Sequence, residues 1–527
     1  MKIKGGNSMS KVITLEQCLD LIQDGSSTVW TTAGLAGFPE YIADGIEKRF
    51  LETGKPKDLT AIHSCGCGDG KDRGMNHLGH EGLVRKIIAG HIGEAPKIGD
   101  LVRADKIEAH LLPQGVMSHL WRHIAGKKMG VITKVGLGTF VDPRQTGGKV
   151  SPCTKDELVK VIELEGEEWL LYKTFPIDIA FIRGTTADEK GNLTMSKEPL
   201  FLEAISMAQA VKNGGGIVIA QVEYVSKPYQ LHPQSVKVPG NYIDYIVVAP
   251  PVQHMQTKGT VFNPALNGDV KVPLNAIPKL PLIDRKIIAR RAAMELTPNT
   301  VVNLGIGMPE GVASVAAEEG VSDYITMTTE LGTYGGIPAS GVDFATAYNA
   351  EAIIDHQYQF DFYDGGGLAC AFLGLAETDQ FGNLNVSKFG EKVVGPGGFI
   401  NISQNSKKVV FCGTFTAGGL KTEVKDGKLI IVKEGMKQKF VEKVDHITFS
   451  GQYASSVGQP VLFVTERAVF KLEEGGLTLI EIAPGIDLER DILSQMAFKP
   501  KISETLKEMP AFIFNEQWGG LQKMMKL

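Results

Sequence analysis

Nowhere in its 527 residues does this chain hold an apolar run near the ~20 residues that a membrane-spanning helix needs. The N-terminal stretch from Met1 to Lys11 has no apolar centre, so it does not read as a secretory signal. Met9-Ser10-Lys11 is a candidate second start. Cysteine is scarce. Cys18, Cys65, Cys67, Cys153, Cys370 and Cys412 are too few and too scattered for a disulfide framework, and they read as reduced thiols of a cytoplasmic protein. Cys65-Gly-Cys67 has the wrong spacing for a zinc knuckle or a redox pair. Positive charge is not in excess: the formal net charge is -5, which argues against a nucleic-acid surface. A Gly-x-Ser-x-Gly elbow and a Walker phosphate loop are both missing. What remains is an ordinary globular composition, 43% hydrophobic and 22% charged, in a chain too long for one core.

The chain repeats itself. Thr14-Leu-Glu-Gln17 has the form of a capping box, and Leu15, Cys18, Leu19 and Ile22 fall on one helical face that Gly25 ends. A strand, Thr28 to Trp30, leads into Gly34-Leu-Ala-Gly37-Phe-Pro39-Glu40 and a helix from Tyr41 to Phe50. The same order returns with a helix from Asp284 to Leu296 and a strand from Thr300 to Leu304. The loop Gly305-Ile-Gly307-Met-Pro309-Glu310 and a helix from Gly311 to Glu319 follow. A second match is ungapped: Ala180 to Lys197 aligns with Ala371 to Lys388, sharing Asp188/Asp379, Gly191/Gly382, Asn192/Asn383, Leu193/Leu384, Ser196/Ser387 and Lys197/Lys388. Asp-x-x-Gly-Asn-Leu reads as a tight turn between strands. A third echo sets His110-Leu-Leu-Pro113-Gln114-Gly115 beside Thr326-Met-Thr-Thr-Glu330-Leu-Gly332, each an apolar strand ending in a polar residue before glycine. It suggests that Gln114 and Glu330 hold equivalent places in two related halves.

These patterns divide the chain into residues 1–265, a proline-marked linker over 266–282, and residues 283–527. Alternating strands and helices make each half an open α/β unit with a largely parallel sheet, turning mixed where strands dominate, as at Val409 to Phe415 and Leu429 to Lys433.

Four stretches carry candidate chemistry. In Tyr324-Ile-Thr-Met-Thr-Thr-Glu330-Leu-Gly332 a strand of β-favouring residues runs into a carboxylate beside glycines, so a bulky ligand can come close. Gly305 to Glu310 ends a strand and opens a helix, a place suited to an anion but without the third glycine of a dinucleotide fingerprint. Gly395-Pro-Gly397-Gly398-Phe399 reads either as a flexible surface loop or as bare backbone for an oxyanion. Asp355 to Gly367 fits no metal ligand set, and its alternating Tyr358, Phe360 and Phe362 read as a strand with one wet face. His63, His77, His80 and His91 with Cys65 and Cys67 read as a polar loop near the domain interface rather than a metal site.

Taken in order, Val302-Asn-Leu-Gly305-Ile-Gly307-Met-Pro309, Thr329-Glu330-Leu-Gly332 with Gly335-Gly336-Ile-Pro338, Gly382-Asn-Leu-Asn-Val-Ser387, Gly395-Pro-Gly397-Gly398-Phe399 and Leu112-Pro113-Gln114-Gly115 resemble the class I coenzyme A transferases. The resemblance is nearest to single-chain short-chain acyl-CoA enzymes of the acetate and propionate type. Relatives commonly have Asn or Ser after the nucleophile, where this chain has Leu331.

The resemblance implies a nucleophile, Glu330, ionised at its ordinary pKa and attacking an acyl-CoA to give a glutamyl-CoA thioester that a second acid resolves. It implies oxyanion donors at the Gln114 amide and the backbone of Gly397 or Gly398, and coenzyme A contacts at Gly305, Ile306, Gly307, Met308 and Pro309. Leu331, Met308, Tyr334 and Phe399 become expected pocket walls. No tightly bound cofactor or metal is expected, coenzyme A being a substrate. The expected substrates are acetate, propionate and butyrate, with lactate or acetoacetate also open, in a cytoplasmic homo-oligomer. Alternatives are an acyl-CoA hydrolase on the same scaffold and a non-catalytic ligand-binding regulator; the chain has no basic recognition helix to favour the latter.

Overall fold

Strands such as Ile179–Arg183 and Ile217–Val222 are apolar almost throughout, the signature of strands covered on both faces. The computed structural model describes residues 10–273 and 279–527. The candidate start at Met9 and the centre of the linker, 274–278, lie outside the described residues. The first large sheet has seven strands, in the order Tyr245–Val248, Ile217–Val222, Ile179–Arg183, Ser27–Trp30, Leu59–His63, Val84–Ala89 and Glu108–Leu111. All six of its pairings are parallel. The second has ten strands. Its centre is parallel, from Ile325–Thr328 through Thr300–Leu304, Cys370–Gly374 and Val409–Cys412 to Val461–Val464. Antiparallel strands flank that centre on both sides. The fold is therefore α/β, with one large sheet parallel and the other mixed, and each of the two has its own apolar core.

The local signals hold. Thr14 and Gln17 form the reciprocal capping box. Asp188 and Asp379 make matching turns: each accepts the backbone N–H and side-chain amide of the Asn four residues on, at 2.9 and 2.8 Å in the first copy and 3.1 and 3.1 Å in the second.

Sheet register corrects the third echo. Val29 pairs with Ala180 and Ile62, and Asn303 pairs with Ala371 and Thr328. Because Ala180 and Ala371 are equivalent, so are Ile62 and Thr328, and Ser64, not Gln114, holds the place of Glu330. Gln114 follows the edge strand Glu108–Leu111, two positions further out in the sheet. The two halves thus bring different strands to one crevice.

Residues 355–367 also differ from expectation. His356–Asp364 is a helix, in which His356, Phe360 and Tyr363 are buried while Tyr358 faces out. Their spacing of four and three residues fits a helix face, which a short run read by alternation cannot exclude. The Gly395–Phe399 stretch is not a flexible surface loop; it is bonded into the seam between halves. Gly397 N–H donates to Gly90 O (2.9 Å), and Gln114 N–H donates to Gly397 O (2.9 Å). Further backbone bonds clasp the seam at Ile92–Val394, Phe140–Ile447 and His356–Leu202. The described part of the 266–282 linker has no helix or strand but is not free: Leu266 is buried, and Asn349 bonds both the N–H and the C=O of Val272.

Candidate active site

Glu330 sits on the tight turn between Ile325–Thr328 and Thr333–Tyr334, which pair antiparallel through Thr328 and Tyr334. Thr329 fixes the turn: its hydroxyl meets that of Thr333 and donates to Ala345 O, and its N–H donates to Thr333 O. Gly332 has φ 109°, and a Cβ there would collide with the Ile354 carbonyl. Leu331, expected as a pocket wall, is fully buried at the seam with Ala33, Ala36, Cys65, Leu200, Leu202 and Ala345. It anchors the turn rather than lining the pocket, so a hydrophobic residue stands well beside the carboxylate.

The Glu330 carboxylate opens into a cavity of about 300 Å³ between the halves. The first half contributes Cys65, Gly66, His91, Glu94, Gln114 and Lys258. The second contributes Asn303 to Ile306, Glu310, Phe344, Ala345 and Gly395 to Phe399. Glu330 Oε1 accepts from Gln114 Nε2 at 3.2 Å. Oε2 faces the bare Cα of Gly398: a Cβ there would stand 2.5 Å from it. Burial pushes the Glu330 carboxyl above the ordinary 4.5, with the Gln114 hydrogen bond pulling the other way. The expectation of an unperturbed carboxyl is therefore corrected, because the residue lies in a crevice and not at a surface.

The expected site residues separate by position. Gln114, Gly397, Gly398, Gly305 and Ile306 line the same cavity as Glu330, and Ile306 is its most exposed expected coenzyme contact at 62%. Gly307 lies just outside the wall with φ 83°, Met308 packs against the second core and Pro309 is buried. Phe399 is a wall; Tyr334 stacks edge-on against Phe362 instead. Gly397 spends its N–H on Gly90 O, whereas the Gly398 N–H has no protein partner among the described residues. The backbone N–H left unbonded at this wall is thus that of Gly398, where the helix Phe399–Asn405 begins.

Sequence reasoning did not single out Glu203, Glu94 or Lys258, which carry no motif. Gln114 Nε2 also lies 3.1 Å from His356 Nε2, and His356 Nδ1 lies 2.7 Å from Glu203 Oε1. Lys258 and Glu94 form an ion pair in the cavity wall. The histidine and cysteine cluster splits. His91 and Cys65 line the cavity, while His77 lies apart, its two ring nitrogens meeting Glu40 and Glu47. Asp44, Glu47 and His77 have the spacing of metal ligands, but both His77 nitrogens already face carboxylates, which suits an imidazolium rather than a ligand.

A coenzyme A transferase family model matches residues 12–249. A caffeate CoA-transferase of Acetobacterium woodii is 53% identical, over 98% of this chain and 100% of that protein. An acetate CoA-transferase, YdiF, of Escherichia coli O157:H7 is 45% identical, over 96% of each chain. The crystal structure of YdiF described as a thioester complex with CoA superposes with a TM-score of 0.92, at 43% identity over 97% of each chain. Among the described residues, no helix is long and apolar enough to cross a membrane.

Proposed function

Since the chain belongs to the coenzyme A transferase family, and so is an enzyme that moves CoA between acyl-CoA thioesters and carboxylates, we propose that Glu330 carries the CoA from donor to acceptor. The observation behind this reading is the asymmetric setting of its two oxygens. Oε1 is held by Gln114, while Oε2 faces bare backbone at Gly398 with open cavity beyond.

In the first step Oε2 attacks the thioester carbonyl of the donor. The carbonyl oxygen becomes an oxyanion within reach of the Gly398 N–H, the C–S bond breaks, and CoA thiolate leaves a mixed anhydride on Glu330. Thiolate then attacks Cδ of Glu330. The oxygen that takes the charge is Oε1, already bonded to the Gln114 amide, which serves as the second oxyanion donor. The donor acid departs with the electron pair of the broken C–O bond, leaving a Glu330 thioester. An acceptor carboxylate runs the same steps in reverse. A carboxyl raised by burial is a more basic nucleophile than one in water, and the enclosure keeps water from the anhydride. Binding of the remote part of CoA supplies positioning.

Short-chain acids are the first reading of the acceptor. A second reading, an arylacrylate, is favoured by the caffeate CoA-transferase relative and by the largely apolar wall of Phe344, Ala345, Ala339, Leu373 and Phe399. Incubation with acyl-CoA, followed by peptide mass analysis, tests the central claim. A CoA-mass adduct on the peptide containing Glu330 is expected, and Glu330→Gln abolishes turnover while the protein stays folded. Full activity in that variant would refute the role. Turnover with acetate, propionate, butyrate and caffeate as acceptors separates the substrate classes, and CoA release that ignores the acceptor would mark a hydrolase.

A further inference from the structure

Four side chains stand in an unbroken line that crosses the seam three times: Glu203 and Gln114 from the first half, His356 and Glu330 from the second. Glu203, His356 and Gln114 are buried to 1% exposure or less. Buried polar groups are costly unless bonded, so such a line settles into one arrangement.

Donor chemistry identifies that arrangement. A carboxamide nitrogen has two hydrogens and accepts nothing. Gln114 Nε2 faces Glu330 Oε1 at 3.2 Å and His356 Nε2 at 3.1 Å, so each takes one of its hydrogens. His356 Nε2 is then the bare nitrogen, and Nδ1 carries the ring hydrogen toward Glu203 Oε1 at 2.7 Å. With the opposite tautomer two donors would meet at Nε2. The amide would turn over, setting its oxygen against the imidazole and withdrawing its N–H from Glu330. The ring is hemmed in: it is fully buried with Phe360 packed edge-on at 5.1 Å, and its backbone is pinned by the main-chain N–H of His356 donating to Leu202 O at 3.1 Å.

We propose that His356 and Glu203 are positioning residues for CoA transfer, a tautomer lock that keeps the Gln114 amide hydrogens aimed at Glu330. Neither touches the reacting atoms, and both act through Gln114. The inference rests on the reading of Glu330 as the CoA carrier. It also makes catalysis depend on both halves being docked, since the lock alternates between them.

A double-mutant cycle tests it. In Glu203→Gln the new amide can donate to Nδ1 and so admits the wrong tautomer. Its kcat is expected to fall about tenfold or more, with KM for acyl-CoA little changed; Gln114→Ala alone is expected to lose about a hundredfold. The double variant should be no slower than Gln114→Ala, because the lock has nothing left to hold. Losses that multiply, or a Glu203→Gln enzyme at the wild-type rate, would overturn the proposal. If thermal melting shows Glu203→Gln unfolded, a second pair decides. His356→Gln puts an amide oxygen where Nε2 stood and should keep more activity than His356→Leu; equal losses would overturn it. Single-turnover formation of the CoA adduct separates this from the parent reading. A wild-type protein with no adduct on Glu330 removes both, whereas wild-type adduct with an unchanged Glu203→Gln rate removes only the lock.

Discussion

Gly398 lies so close to Glu330 that a methyl group on its Cα would stand 2.5 Å from Oε2 and 3.0 Å from Cδ. Its own φ is −80°, which alanine adopts without strain. The methyl would also stand 3.1 Å from Cζ of the buried Phe360, so Gly398→Ala is expected to cost some stability, while kcat falls about a hundredfold or more because the methyl occupies the approach to Oε2. Thermal melting should move far less than activity.

Ionisation of Glu330 should be visible in both rate and stability. Its carboxyl is raised above 4.5 by burial. Between 4.5 and that higher value the folded state binds more protons than the unfolded, so stability falls as pH rises through the window. Glu330→Gln lacks this penalty. It should melt above the wild type at pH 7, with the difference closing below pH 4.5. The acid limb of kcat/KM in the wild type should lie above 4.5, and Gln114→Ala should shift it higher by removing the hydrogen bond that lowers it.

His77 should give a dependence of the same sign in a higher pH window. Burial alone would lower its pKa, but Glu40 and Glu47 at its two nitrogens outweigh that and raise it above 6.5. The stabilisation is complete below 6.5 and is lost as pH rises through the folded value. His77→Gln should therefore cost more in urea unfolding at pH 6 than at pH 9. A cost independent of pH would mean that the ring is held by packing instead.

Two glycines of positive φ should respond differently to alanine. Gly54 ends the helix Glu40–Thr53 with φ 70° and open space around it, so Gly54→Ala should cost about 1 kcal/mol, the strain alone. Gly332 has φ 109° and the Ile354 carbonyl in the way. Gly332→Ala should cost clearly more in denaturant unfolding and, by moving the Glu330 turn, also remove activity.

Much of this site was legible because its signals are local. The strand Thr300–Leu304 has the limits that its residues suggest, and Asp188 and Asp379 form the turns that Asp-x-x-Gly-Asn implies. Glu330 beside glycine was readable for the same reason. The Asp355–Gly367 stretch was misread because a few aromatic residues fit both periods, and burial of His356, Phe360 and Tyr363 against other elements decided for helix. Glu203 could not be found, since a lone Glu before a helix becomes functional only through a histidine 153 residues away.

By itself the amino-acid sequence determined the repeated strand–loop–helix units, the parallel central sheets and the presence of one carboxylate on a tight turn, because each depends on residues within a few positions of one another. The partners of that carboxylate were decided by tertiary structure. Docking of the two halves brings Gln114 from the helix start that follows an edge strand, Gly398 from a buried loop and His356 from another helix start into one crevice, and it is the loss of water there that raises the Glu330 carboxyl.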